Sequence, residues 1–118
     1  MEIWVNPGCS KCRTAVSELD GAGASYTTRR YLDDPPTVAE IENVLTRLGL
    51  EPWDITRLAE AEAAEIRAVP KDSEHRDQWV RALADHPRLL QRPIVTLDDG
   101  TAVVARDAET LDRLTGRS

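Results

Sequence analysis

Within its first thirty residues the chain sets out a strand, a helix and a second strand, and this order constrains its fold more than any other feature. Ile3, Trp4 and Val5 form a short apolar run, Glu2 to Val5, that stops at Asn6-Pro7-Gly8. Such a run, ended by a Pro-Gly break, reads as a buried strand and a tight loop. A helix is expected from about Cys9 or Ser10 to Asp20, because Cys12, Ala15, Val16 and Leu19 fall at i, i+3, i+4 and i+7 on one stripe. Gly21-Ala22-Gly23 ends it, and a second strand is expected over Ser25 to Tyr31. Strands joined by a helical crossover are expected to run parallel.

Asp33-Asp34-Pro35-Pro36 is a rigid break. Thr37 followed by Glu40 fits a capping box, and Val38, Ile41, Val44, Leu45 and Leu48 predict an amphipathic helix up to Gly49. From Pro52 to His86 the pattern stays helical: Ile55, Leu58 and Ala59, an Ala/Glu stretch to about Ala68, then Trp79, Val80 and Leu83, with a turn at Val69 to Asp72. After Arg92-Pro93 a strand is expected over Ile94 to Leu97, a hairpin turn at Asp98-Asp99-Gly100 and a return strand over Thr101 to Ala105. Asp107 can cap a last helix carrying Ala108, Leu111 and Leu114. The order βαβ, a helical block over about residues 37–88, then ββα predicts an α/β thioredoxin-like fold. Its helical insertion lies between the second and third strands, and residues 1–118 are expected to form a single domain.

A chain of 118 residues can bury one modest core. With no phenylalanine, Trp4, Trp53 and Trp79 must carry much of the packing beside the aliphatic residues. The formal net charge of −6 argues against a nucleic-acid backbone as the main partner, which needs a basic face to displace counterions. Arg outnumbers Lys, and a guanidinium offers anions a planar fork of donors. No basic stretch precedes the first apolar run and no segment approaches a membrane span, so a cytoplasmic protein with no membrane partner is expected. In a reducing compartment, two close cysteines point to catalysis, redox chemistry or metal binding rather than a structural staple.

Cys9-Ser10-Lys11-Cys12 is a C-x-x-C placed after the first strand, at the start of the first helix. A helix start presents unpaired N–H groups and partial positive charge, which favour a thiolate. Cys9 is the candidate reactive thiol. Cys12, one turn behind it, is either a redox partner or a buried core cysteine, since it also falls on the apolar stripe. A zinc site would need four ligands, and His75 and His86, the remaining candidates, lack the usual short spacing; no metal is expected.

Around the cysteine loop Asn6-Pro7-Gly8-Cys9, the chain resembles the ArsC/Spx family, and most of all its glutaredoxin-dependent arsenate reductases. Tyr31 to Thr37, Asp54-Ile55-Thr56-Arg57, and His86-Pro87 through Gln91-Arg92-Pro93-Ile94-Val95 carry the same resemblance, which spans nearly the whole chain. It implies an oxidoreductase of arsenic detoxification in which Cys9 attacks arsenate and Arg57, Arg92 and Arg106 bind the oxyanion. It further implies that Pro93 is a cis-proline. No bound cofactor is expected; glutathione or another small thiol would be the co-substrate, and glutaredoxin or a thioredoxin-like protein the reductant. Arg29, Arg30, Arg47 and Arg88 read as surface residues.

Two positions depart from the family's pattern. Val5 stands where well-known members have a histidine, so Cys9 must rely on the helix end and the arginines. Cys12 stands where serine is common, which makes a Cys9–Cys12 disulfide chemically accessible. The alternatives are therefore an Spx-like regulator that binds RNA polymerase and uses C-x-x-C as a redox switch, or a thiol-disulfide reductase with another substrate.

Overall fold

In the computed structural model, which describes residues 1–115, the opening folds as strand β1 (Glu2–Val5), helix α1 (Ser10–Gly21) and strand β2 (Thr27–Arg30). Gly23 takes φ +71°, a left-handed conformation that suits glycine, and its N–H bonds the Asp20 carbonyl. β2 is shorter than the expected Ser25–Tyr31, because the chain already turns at Arg30, whose carbonyl accepts the Asp33 N–H at 3.0 Å. Beyond it come helix α2 (Val38–Leu48), helix α3 (Arg76–Asp85), strands β3 (Ile94–Thr96) and β4 (Ala102–Val104), and helix α4 (Ala108–Thr115). The mixed α/β order is that of the expected thioredoxin-like fold.

The chain divides into two compact units, one built from Met1–Asp33 and the segment from Arg92 onward, the other from Asp34–Gln91. The first holds a four-stranded sheet in the order β2-β1-β3-β4. β1 pairs parallel with β2 and antiparallel with β3, and β3 pairs antiparallel with β4. Side chains alternate along β1, so Ile3 and Val5 join Val95, Ala105, Leu111 and the Cys12, Ala15 and Leu19 stripe of α1 in one buried cluster. Trp4 points the other way, and the Arg29 guanidinium lies 5.6 Å from its ring centroid. Arg29 is thus a packing partner as well as a surface charge. The register sets Val5 beside Arg30 and Trp4 beside Ile94, so the ends of β1 and β2 and the beginning of β3 open at one edge of the sheet.

In the second unit, α2 begins with the expected capping box. Thr37 Oγ1 accepts the Glu40 N–H at 3.2 Å, and Glu40 Oε1 accepts the Thr37 N–H at 3.0 Å. Ile41, Val44 and Leu45 are buried, whereas Val38, counted with that stripe, stays 44% exposed in the first turn. The helical expectation from Pro52 to about Ala68 is overturned, whereas the stretch carrying Trp79, Val80 and Leu83 forms α3 as expected. Short 3₁₀ turns occupy Pro52–Ile55 and Ala61–Ala63, and α3 is the only α-helix among these residues. Local propensity favoured a helix, but an antiparallel bridge between Thr56 and Leu90 holds the backbone extended. The Arg57 N–H bonds the Leu89 carbonyl and the Gln91 N–H the Ile55 carbonyl, while the Arg67 side chain bonds the Leu58 and Glu60 carbonyls. Trp79 is fully buried, donates from Nε1 to the Pro70 carbonyl at 3.0 Å, and meets Trp53 edge to face at 6.1 Å.

Candidate active site

β1 hands the chain to Asn6-Pro7-Gly8, and that loop sets Cys9 at the N-cap of α1 in extended conformation, φ −95° and ψ 124°. The Cys9 N–H bonds the Asn6 carbonyl at 2.9 Å, and the Cys9 carbonyl accepts the Arg13 N–H at 3.1 Å, starting the helix. Asn6 braces the loop further: Oδ1 accepts the Gly8 N–H at 3.0 Å, and its N–H donates to Cys12 Sγ at 3.4 Å. Both cysteines are free thiols, Cys9 partly exposed and Cys12 buried.

The two sulfurs are electrostatically unequal. Burial raises the Cys9 thiol, but the Cys12 N–H, the Arg92 side chain, the Lys11 N–H and the Cys12 thiol together outweigh it, and it falls from 9.0 to about 7. Burial raises the Cys12 thiol; the Asn6 N–H opposes this, the Cys9 charge adds to it, and Cys12 rises from 9.0 to about 11. Cys9 is therefore the thiolate of the pair, and Cys12 keeps its proton beside it.

Arg92 reaches Cys9 from the segment before β3 and donates from Nη1 to the Tyr31 hydroxyl at 3.3 Å. Burial works against the Arg92 charge, and its bonds to Tyr31 and Cys9 more than offset that. The next peptide bond, Arg92–Pro93, is cis. Arg106 follows β4 and lines a groove of about 290 Å³ with Lys11, Thr14, Glu18 and Asp112. Arg57 belongs to the other unit, where Nη1 pairs with Glu60 at 2.8 Å. The structure thus brings Cys9, Cys12 and Arg92 into one cluster, and gives Arg57 and Arg106 these surroundings of their own.

Tyr31 is a residue that sequence reasoning passed over except as part of a resemblance. It is 1% exposed and carries the acceptor that Arg92 uses. A tyrosine at the end of a short polar strand was the available signal, but nothing local joined it to Arg92. His75 stands at the N-cap position of α3, its Nδ1 2.6 Å from Asp72 Oδ1, and His86 ends that helix. Among the described residues, no three His, Cys, Asp or Glu side chains cluster to hold a metal ion. Among them, too, no helix is long and apolar enough to cross a membrane.

Known proteins resemble this chain over nearly its whole length. The sequence pattern of the ArsC family matches residues 4–114. A Streptomyces viridochromogenes relative, described as an uncharacterized protein in the glnII region, is 62% identical over 94% of this chain and 95% of its own. An arsenate reductase of Neisseria meningitidis is 35% identical over 95% of each chain. The solved structure of an arsenate reductase from Vibrio cholerae superposes with a TM-score of 0.80 at 30% identity, covering 100% of this chain and 98% of the other.

Proposed function

We propose that this chain, which belongs to the ArsC family, is an arsenate reductase whose nucleophile is Cys9. The observation that carries the reading is the Cys9 sulfur at the start of α1, lowered to about 7 with the Arg92 guanidinium bonded to it. Arsenate is a tetrahedral oxyanion, so an attacking thiolate brings like charges together. A guanidinium that already bonds the sulfur can also take an arsenate oxygen, and it stabilises the charge that develops as the S–As bond forms. The resemblance supports Arg57 and Arg106 as further oxyanion ligands.

The Cys9 thiolate displaces one arsenate oxygen, which leaves as water after protonation, and a thiol–arsenate adduct forms. Two thiol equivalents then become a disulfide, arsenic gains two electrons, arsenite is released and the Cys9 thiolate returns. Glutathione with glutaredoxin supplies those thiols in this proposal, and a reducing cytoplasm keeps Cys9 available. The proximity of Cys12 supports a second reading, in which Cys9 and Cys12 form a redox switch or a disulfide-exchange centre.

Arsenite formation, measured with glutathione plus glutaredoxin and in parallel with thioredoxin, separates the readings. Turnover is expected with at least one reductant and is lost in Cys9→Ser. Loss of one preorganised oxyanion donor costs roughly 10²–10³ in rate, so a drop of that order is expected for Arg92→Ala. Absence of turnover with both reductants would overturn the enzyme reading, and recovery of RNA polymerase on the immobilised chain would then favour the switch.

A further inference from the structure

We propose that Tyr31 is a positioning residue: its buried hydroxyl holds the Arg92 guanidinium against the Cys9 sulfur. The inference rests on Cys9 being the working nucleophile. Its basis is where the sheet places three chain segments. β1 and β2 run parallel and β3 runs antiparallel to β1, so Cys9 beyond β1, Tyr31 beyond β2 and Arg92 before β3 all emerge at the same edge.

Tyr31 Oη receives Arg92 Nη1 at 3.3 Å, and a phenol that is 1% exposed needs such a partner. Arginine has several rotatable bonds, and holding it in one pose costs conformational entropy. Fixing one nitrogen of a rigid planar fork orients its other donors too, so an anchored Arg92 meets the sulfur already aimed. The charged and titratable groups facing Cys9 are Cys12 on α1, Arg92 before β3 and, through Arg92, Tyr31 after β2. Burial keeps Tyr31 protonated despite the opposing effect of Arg92, so its oxygen acts as a neutral acceptor and leaves the guanidinium charge for the thiolate.

The test is Tyr31→Phe, which removes the oxygen and keeps the ring. Alkylation of Cys9 by iodoacetamide, resolved from Cys12 by mass spectrometry across pH 5–10, reads the thiolate directly and needs no arsenate. The ionisation midpoint is expected to rise by about half a unit, which lowers the thiolate fraction at pH 6.5 roughly 2.6-fold and, because the more basic thiolate is the better nucleophile, slows alkylation there by about 1.6-fold. In an Arg92→Ala background the same substitution is expected to change nothing, because the group it positions is gone. An unchanged midpoint, or an equal effect with and without Arg92, would overturn the proposal.

A second measurement is independent of how Tyr31→Phe folds. With only two tyrosines in the chain, the ¹³Cζ resonance of Tyr31 is expected to move in Arg92→Ala while that of Tyr26 stays; a stationary Tyr31 signal would also overturn it. Wild-type protein that alkylates as described but never reduces arsenate leaves the positioning role standing and removes the arsenate reading instead.

Discussion

Removing the Arg92 guanidinium tests the electrostatics of the site at its source. With Cys9 at about 7, about half of it is thiolate at pH 7, against about 1% for a thiol at the ordinary 9.0. A less basic thiolate is also a weaker nucleophile: with a Brønsted coefficient of about 0.4–0.5, a fall of two units lowers its intrinsic reactivity roughly sixfold to tenfold. The roughly fiftyfold gain in thiolate therefore becomes a net alkylation advantage of about fivefold to eightfold at pH 7. Arg92→Ala should raise the Cys9 midpoint and erase part of this advantage, leaving the share due to the Cys12 and Lys11 N–H groups.

Stability carries the same signature. A folded value below the unfolded one means that the Cys9 contribution is complete above about pH 9 and is lost as pH falls through 7. Cys12 has the opposite sign, because its thiol is raised: its cost begins only as pH climbs above about 9. Between pH 7 and 9 the Cys9 contribution stands alone. After allowance for the partial exposure of Cys9, wild type should gain about 1 kcal/mol over that window relative to Cys9→Ser in urea unfolding. A wild-type alkylation midpoint above 8.5, or one that Arg92→Ala leaves in place, would refute the reasoning.

Other perturbations report on the frame around the site. Cys12→Ser should preserve arsenite formation with glutathione and glutaredoxin while abolishing any intramolecular disulfide on mild oxidation, which mass spectrometry of the intact chain will show. Thr37→Ala removes the acceptor for the Glu40 N–H and should cost about 1 kcal/mol in denaturant unfolding. Trp79→Ala empties the largest fully buried side chain and strips the Pro70 carbonyl of its donor; a loss of about 3–5 kcal/mol is expected by the same method, and less than 1 would contradict the packing described.

What the sequence disclosed depended on how far apart the interacting residues lie. The Ile3–Val5 run, the α1 stripe, the Thr37–Glu40 box and the Gly100 hairpin are written in neighbouring residues, and their elements formed where expected. Cys9 belongs with them, since a helix start can be read from the break before it. The stretch after Ile55 misled because Ala and Glu favour a helix locally. Its backbone is set by a bridge from Thr56 to Leu90, which no local pattern encodes. Tyr31 and Arg92 are 61 positions apart and meet only because β2, β1 and β3 are adjacent. The same adjacency turned Arg29 from a surface charge into a partner of Trp4.

The loop that ends β1 also decides how a bond to Cys9 is broken. A sulfur whose anion is stabilised by the start of α1 and by Arg92 is a good leaving group, because thiolates of low pKa depart faster. Any adduct on this sulfur, whether to arsenic or to another thiol, is therefore poised for cleavage by the groups that favoured its formation. A Cys9 thiolate held in this way would be easily loaded, and as easily cleared.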